Sequence, residues 1–261
     1  MEKVALGIFA HPDDAEFMCT GTLSLLKKAG WSIHIASMSP GDKGTNELSR
    51  KEISCLRKAE ASRSAELIGG CYHCLEFDDI YIFYDRDTIN KTTGLIRKIR
   101  PSIVFTSSPS DYMFDHEITS QIIQTACFST GIKNMDVSEE PFEPIPYLYY
   151  CDPMEGKDKF GTLIQPTIYV DISNEMQIKV KMLSCHESQR TWLSAHHEID
   201  EYLLFMNRFA EQRGKEINKE FAEGFRQHLG HGYPKENILK EILDDLVTSI
   251  DIFHIPVNHI Y

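Results

Sequence analysis

The sequence predicts an α/β fold: a Rossmann-like, mainly parallel sheet with helices on both faces and a mainly helical C-terminal extension. Short apolar runs alternate with helical patterns through residue 130, and such alternation indicates right-handed crossovers between parallel strands. From Asn174 onward the apolar spacing becomes helical. We therefore expect a single domain over residues 1–261, with an α/β core at 1–173 and the extension at 174–261.

The first predicted strand, residues 3–9, is short, apolar and bounded by Pro12, which is typical of a strand covered on both faces. A helical pattern follows over residues 17–29 and ends at Gly30, a residue type common after helices. Further core helices are predicted near 49–68, 88–99 and 116–130, and strands at 75–77, 103–106, 147–151 and 168–172. In the extension, helices are predicted at 175–184, 199–214 and 236–252.

Polar side chains follow the first strand in the motif Ala10-His11-Pro12-Asp13-Asp14. The strand delivers an imidazole and two carboxylates to the carboxyl edge of the sheet, where open α/β folds bind ligands. These groups indicate a metal site. The alternative is a simple turn in which the aspartates cap the next helix, because Asp is a favoured N-cap residue.

A second polar cluster repeats this arrangement later in the chain. The apolar run at 103–106 leads into a polar loop and then a helix that begins near His116, so both clusters can meet above one sheet edge. His11, Asp14 and His116 supply three ligands and leave a fourth position open, as catalytic zinc requires; another divalent ion is an alternative. Asp13 beside them can take a proton from water whose acidity the metal raises, which predicts hydrolysis.

These residues resemble the LmbE/PIG-L family of zinc-dependent N-acetylglucosamine deacetylases. The resemblance extends to Gly41-Asp42-Lys43-Gly44, which is similar to the family's glycine loop. It also extends to Arg57-Lys58-Ala59-Glu60-Ala61, which is similar to the family's Arg-x-x-Glu helix. Together these features cover about residues 1–130.

The resemblance implies roles for individual residues. It implies one zinc ion per chain, with the ligands His11, Asp14 and His116. Asp13 is then the general base, Arg57 contacts substrate hydroxyls, and Asp42 of the glycine loop is also expected to bind substrate. For Arg57, a solvated cation on the helix surface is the alternative. The implied reaction removes the N-acetyl group from an N-acetylglucosamine-containing substrate, with zinc-activated water as the nucleophile.

The sequence departs from the family's pattern at one position. Family members often carry a His three residues before the last zinc ligand, where it helps to stabilise the oxyanion, but this chain has Met113. A thioether cannot donate that hydrogen bond, and loss of one such donor commonly lowers the rate about a hundredfold or more. Asp115, which would orient that His, is present and is predicted to be catalytic. The alternative is a catalytically weakened member that binds a metal and a sugar without efficient turnover.

A histidine from the second half of the chain is expected to replace the missing donor. The candidates there are His186, His196, His197, His228 and His231. We predict that His228 or His231 reaches the zinc pocket, from its own chain or from a neighbouring subunit. Their motif precedes Gly232 in a predicted loop, and loops concentrate function.

Composition and charge exclude several classes of partner. The formal net charge of −12 and the pI near 5.4 argue against nucleic acid and against an anionic membrane surface. No apolar stretch is long enough to span a membrane, and no signal segment stands at the N-terminus, so a cytoplasmic protein is expected. The first loop lacks the Gly-x-Gly-x-x-Gly of a nucleotide-binding module. The C-terminal helical portion, including apolar residues 251–257, is expected to form a homo-oligomer contact.

Overall fold

One sheet runs through the part of the chain that this computed structural model describes, residues 2–194 and 201–250. Its strands there are β1 (Val4–Phe9), β2 (Ser32–Ser37), β3 (Cys71–Cys74), β4 (Ile103–Thr106), β5 (Tyr147–Cys151), β6 (Ile168–Asp171), β7 (Ala222–Gln227) and β8 (Val247–Ser249). The helices are α1 (Asp14–Met18), α2 (Thr20–Lys28), α3 (Arg50–Glu66), α4 (Arg86–Ile99), α5 (Phe114–Phe128), α6 (Met176–Ser184), α7 (Glu187–Ser194), α8 (Glu201–Glu216) and α9 (Ile238–Leu243).

The strand order β3-β2-β1-β4-β5-β7-β6-β8 joins a parallel half to an antiparallel half. All neighbours from β3 to β5 are parallel, so their carboxyl ends share one edge of the sheet. β7 is antiparallel to β5 and β6, and β8 is antiparallel to β6. The predicted α/β class with a mainly parallel sheet is confirmed.

The region after residue 174 is mainly helical, as predicted, and it also contributes the strands β7 and β8, which the sequence did not indicate. β7 lies between β5 and β6, although its sequence has no continuous apolar run, because strand pairing on both sides overrides local preference. The helix predicted at 236–252 ends at Leu243; the backbone then takes a positive φ at Asp244 and continues into β8. Residue 173 therefore does not separate the sheet from a helical unit.

Two smaller differences concern the core. The helix predicted at 17–29 begins earlier, at Asp14, and breaks at Cys19 into α1 and α2. The strand predicted at 75–77 lies a few residues earlier, as β3. Both shifts are local and leave the predicted alternation of strands and helices in place; β2, between α2 and α3, was not among the predicted strands.

A buried ion pair joins the C-terminal region to the junction of α1 and α2. Glu223 of β7 accepts the backbone N–H groups of Gly21 and Thr22 at 2.9 and 2.7 Å, in the first turn of α2. Lys179 of α6 donates to Glu223 Oε1 at 2.6 Å and to the Phe17 carbonyl at 2.9 Å. The pair thus satisfies N–H groups that a helix start leaves unpaired, and it fixes the end of α1.

Both faces of the sheet are covered by apolar packing. Ala5 and Phe9 of β1 belong to one buried cluster, whereas Leu6 and Ile8 belong to the cluster on the other face. β1 is therefore buried on both sides, as its apolar sequence predicted. Among the helices in residues 2–194 and 201–250, none combines the length and apolar character needed to cross a bilayer.

Candidate metal centre and catalytic cavity

Two loops at the carboxyl edge of the sheet bring three metal-ligating side chains together. His11 and Asp14 follow β1, and His116 lies in the first turn of α5, after β4. One ligand atom from each residue lies within 4.8 Å of the others. Asp14 Oδ1 is 3.4 Å from His116 Nε2, and Asp14 Oδ2 is 3.6 Å from His11 Nδ1. We call this buried group the metal centre; its members are the ligands predicted from the sequence.

The donor set of the metal centre fits a divalent ion, because imidazole and carboxylate are the ligands of catalytic zinc sites. The second nitrogen of each imidazole faces a further carboxylate. His11 Nε2 lies 3.0 Å from Asp79 Oδ1 and 3.4 Å from Asp115 Oδ2, and His116 Nδ1 lies 3.1 Å from Asp111 Oδ1. Such outer carboxylates fix the tautomer and orientation of metal-binding imidazoles.

Asp115 supports a ligand histidine. Its Oδ2 accepts the backbone N–H of Ile80 at 2.8 Å and faces His11. Asp115, Asp79 and His11 also form a second compact group that uses the other side of the His11 ring. With Met113 in place of a His, the geometry gives Asp115 a positioning contact to His11.

The carboxylates around the metal centre control its acidity. Burial alone lowers the pKa of both imidazoles, but hydrogen bonds to three carboxylates, chiefly Asp115, raise the pKa of His11 well above its usual value. The charge of Asp14 is the main cause that raises the pKa of His116 to about 10. Burial raises the pKa of Asp14, yet the nearby imidazoles lower it well below normal. The centre therefore favours positive charge, which is what a divalent cation carries.

Asp13 lies beside the metal centre and is held by two donors. The Tyr202 hydroxyl of α8 donates to Asp13 Oδ2 at 2.6 Å, and Arg57 Nη2 lies 3.4 Å from Oδ1. Burial raises the pKa of Asp13, while the charge of Arg57 opposes that shift. The Asp13 side chain makes no cap bond to α1, and the residue has a φ of 104°, which is strained for a residue with a Cβ. Asp13 stands at the N-cap position of α1, but its side chain does not cap the helix and is directed to Tyr202 and Arg57 instead.

Arg57 is buried behind Asp13 and joins two loops of the site. Its guanidinium donates to the carbonyls of Pro12 at 2.7 Å and Gly41 at 3.4 Å. Only 3% of Arg57 is exposed, so it is not a solvated surface cation. Gly41 has a φ of +68°, and a Cβ there would lie 2.1 Å from Arg57 Nη1, so glycine is required. Arg57 borders the cavity, and its contact with substrate stays a prediction.

Asp42 is engaged by backbone and side-chain donors of neighbouring loops, and its role in substrate binding stays a prediction. Asp42 Oδ1 accepts the backbone N–H of Asp79 at 2.8 Å, and Oδ2 accepts Arg50 Nε at 2.6 Å. Asp42 is not among the residues that line the cavity. It holds the loop that carries Asp79, so it acts on the site through that residue.

His228 does not reach the metal centre within its own chain, which corrects that part of the prediction. The N–H of His228 pairs with the Leu148 carbonyl near the amino end of β5, whereas the metal centre lies beyond the carboxyl ends of β1 and β4. A strand rises ~3.3 Å per residue, and several residues of strand lie between the level of Leu148 and that of the metal centre. His228 Nδ1 instead lies 2.9 Å from the Tyr150 hydroxyl, and His231 is exposed outside the cavity lining. A histidine from a neighbouring subunit stays a prediction.

The other histidines of the second half have different outcomes. His186 is buried with its Nε2 3.2 Å from Glu16 Oε1, and it does not line the cavity. His196 and His197 lie outside the described residues, as do the apolar residues 251–257 that were expected to form a subunit contact. The predicted homo-oligomer therefore stays a prediction.

A cavity of about 500 Å³ opens over the metal centre, a size typical of small-molecule sites. Around the metal centre and Asp13, its polar lining is Gly44, Arg57, Asp79 and Gln189, and its apolar lining is Phe17, Tyr112, Met113, Met154, Tyr202 and Phe205. Because Met113 borders the cavity, the position where family members often carry a His presents no hydrogen-bond donor there.

Sequence reasoning missed three residues of the site: Asp79, Asp111 and Tyr202. Asp79 comes shortly after β3, so the rule that singled out polar groups at strand ends could have found it. Asp111 lies in the polar loop before His116 that was recognised without a role for this residue. Tyr202 carries no such signal, since it approaches Asp13 from a helix far along the chain.

Known proteins are similar to this chain in both sequence and fold. The family described as PIG-L: GlcNAc-PI de-N-acetylase matches residues 6–127. Diacetylchitobiose deacetylase of Thermococcus kodakarensis is 29% identical over 86% of this chain and 82% of its own length. The uncharacterized deacetylase YaiS of Escherichia coli is 31% identical over 48% of this chain and 68% of its own length.

The similar proteins also include a hydratase and a deacetylase of known structure. The 4-oxalmesaconate hydratase of Pseudomonas putida is 20% identical over 94% of this chain and 93% of its own length. The solved structure of N,N'-diacetylchitobiose deacetylase from Pyrococcus horikoshii superimposes with a TM-score of 0.73, at 25% identity, over 90% of this chain and 88% of that chain. The matched motif residues and the shared fold lead to one conclusion: this chain belongs to the PIG-L family of de-N-acetylases.

Proposed function

We propose that the chain is a zinc-dependent hydrolase that removes the N-acetyl group from an N-acetylglucosamine-containing substrate. One observation carries the proposal: the partly buried Asp13 carboxylate is held by Tyr202 and Arg57 directly beside the metal centre. The relatives named as deacetylases support the choice of reaction.

The side chains of the site take separate parts in amide hydrolysis. A divalent cation in the metal centre supplies a Lewis acid for the amide carbonyl and increases the acidity of water. Tyr202 engages Asp13 Oδ2 and Arg57 lies 3.4 Å from Oδ1, which holds the carboxylate in place to take the proton of the attacking water. Asp13 then returns this proton to the leaving amine, as a base that becomes an acid in the second half of the reaction. The products are acetate and a free amine.

The charges of the cavity favour a neutral amide over the substrate class of the hydratase relative. An oxalmesaconate is a polycarboxylate, and each carboxylate that leaves water requires a charged or hydrogen-bonding partner. Among the described lining residues, Arg57 is the one Arg or Lys side chain, and it donates to backbone carbonyls. Asp13, Asp14 and Asp79 line the same cavity and repel an anionic substrate.

Met113 supports a second candidate function. A family member that binds a metal and an amino sugar without efficient turnover keeps the metal centre but lacks a full set of oxyanion donors. The thioether at the cavity border fits that description. The two candidates differ in whether acetate is released, so a direct assay separates them.

Acetate release from N-acetylglucosamine conjugates, measured with the metal content of the same preparation, tests the proposal. We expect one zinc per chain and release of acetate, and we expect Asp13→Asn to lower kcat about a thousandfold while the zinc content stays unchanged. Bound zinc without acetate release from any conjugate would favour the second candidate. Full turnover by the Asp13→Asn variant would remove Asp13 from the mechanism.

A further inference from the structure

The cavity has an apolar wall that hydrolysis of an acetyl amide does not require. Phe17 packs edge-on against Tyr202, with ring centroids 4.9 Å apart, and lies 6.5 Å from the Phe205 ring. Met113 and Met154 also border the cavity. We call these five side chains the apolar wall. Sugar hydroxyls set against it would lose hydrogen bonds to water without replacement, so the wall suits a different part of the substrate.

The polar side of the cavity suits the sugar ring. Gln189 Nε2 donates to the Gly44 carbonyl at 3.0 Å, which places an amide and a peptide backbone together at the border of the cavity. Asp79 adds a carboxylate to the same lining. A few polar groups of this kind orient a small ligand in a pocket. The metal centre therefore lies in a cavity with one polar and one apolar lining.

Two further large apolar side chains are exposed outside the cavity. A short hairpin at residues 157–163 follows Met154 closely in the chain. Phe160 at its tip is 81% exposed and Leu163 is 64% exposed. Asp158 accepts the backbone N–H of Phe160 at 2.9 Å, which holds the tip in one conformation. Large apolar side chains gathered on a surface indicate binding, and the hairpin begins three residues after Met154 of the apolar wall.

We propose that the natural substrate carries an apolar group next to the scissile amide, and that this group lies on the apolar wall. The inference rests on the proposed deacylase function and specifies its substrate class. The group is an acyl chain longer than acetyl on the nitrogen, or an alkyl or aryl aglycone on the sugar; both present the same chemistry to the wall. Each methylene buried there should raise kcat/KM about fourfold until the wall is covered.

Two substrate series on the zinc-loaded full chain distinguish the sources. The first series lengthens the N-acyl group of methyl glucosaminide from acetyl to hexanoyl. The second keeps N-acetyl and lengthens the aglycone from methyl to hexyl. We expect kcat/KM to rise with length in one series and to change little in the other. Turnover that is flat in both series would overturn the inference and leave the proposed function intact.

Adjacent residues of α8 provide matched variants. Phe205 borders the cavity, whereas its neighbour Leu204 is 43% exposed and does not. Phe205→Gln should flatten the length dependence, and Leu204→Gln should leave it as in the native chain. Met154→Gln tests the same wall if Phe205→Gln fails to fold. The Met154→Gln variant is also examined by light scattering. If its length dependence is unchanged and its oligomeric state is altered, the wall is assigned to a contact with a second copy of the chain, and the inference is overturned.

A binding measurement separates failure of this inference from failure of the proposed function. Calorimetric titration of the zinc-loaded chain with methyl and hexyl β-glucoside, which contain no amide, needs no turnover. Tighter binding of the hexyl compound, lost in Phe205→Gln, supports the apolar wall even if no substrate is hydrolysed. Equal binding of the two glucosides, together with flat turnover series, rejects it.

Discussion

Replacing Tyr202 by Phe tests how Asp13, the proposed general base, is held. The substitution removes one hydroxyl and keeps the ring that packs against Phe17. The lost hydrogen bond joins the Tyr202 hydroxyl to Asp13 Oδ2 at 2.6 Å, and such charge-assisted hydrogen bonds contribute about 1.5–3 kcal/mol. If this hydrogen bond orients Asp13 in the transition state, its loss should lower kcat about ten- to 150-fold. KM and zinc content should change little, because Tyr202 is not a metal ligand.

The matched control is Tyr233→Phe. Tyr233 also loses a phenol hydroxyl, which donates to the Gln124 carbonyl at 2.5 Å, but this residue is not part of the cavity lining. We expect it to lower the melting temperature without a change in kcat. A Tyr202→Phe enzyme with full zinc content and kcat within about twofold of the native value would refute the orienting role.

Three further predictions concern the metal and the fold. Asp111→Asn should weaken zinc binding about ten- to a hundredfold in competition with a chromogenic chelator, because His116 loses its outer carboxylate; unchanged affinity would contradict this role. Removal of the metal by EDTA should abolish acetate release, and zinc should restore it; activity that survives complete removal argues against metal dependence. Lys179→Met should lower the free energy of unfolding in urea by about 3–5 kcal/mol, because Glu223 stays buried without its cation. Lys215 forms an exposed ion pair, and Lys215→Met should lower the free energy of unfolding by under about 0.5 kcal/mol. Equal losses of stability in the Lys179 and Lys215 variants would show that burial is not the cause.

The centre of the parallel half of the sheet was predictable because β1, β4 and β5 each carry their own signal, whereas β2 was not predicted and β3 was placed a few residues late. β1 and β4 are apolar runs followed by polar loops, and parallel strands place such loops at one edge. The meeting of His11 with His116 follows from this rule without knowledge of side-chain positions. The antiparallel half was not predictable, because β7 is a short run with Glu, Gly and Arg that becomes a strand only between two partners.

The residues around the metal centre divide in the same way. Asp79 shares the strand-end signal of His11, so it was within reach of sequence reasoning. Asp42 and Arg57 were recognised by motif, but their partners are backbone groups of other loops, and a motif carries no information on such partners. His228 stood out by composition alone, and the antiparallel direction of β7 carries it toward the opposite edge of the sheet.

By itself, the sequence determined the α/β class, the edge at which the chemistry lies and the three residues that form the metal centre. These depend on local apolar patterns and on the direction of parallel strands. Only the tertiary structure decided that Tyr202 holds Asp13, that Glu223 and Lys179 hold the α1–α2 junction, and that one side of the cavity is apolar. Those features depend on contacts between segments far apart in the chain, and local sequence does not encode their distances.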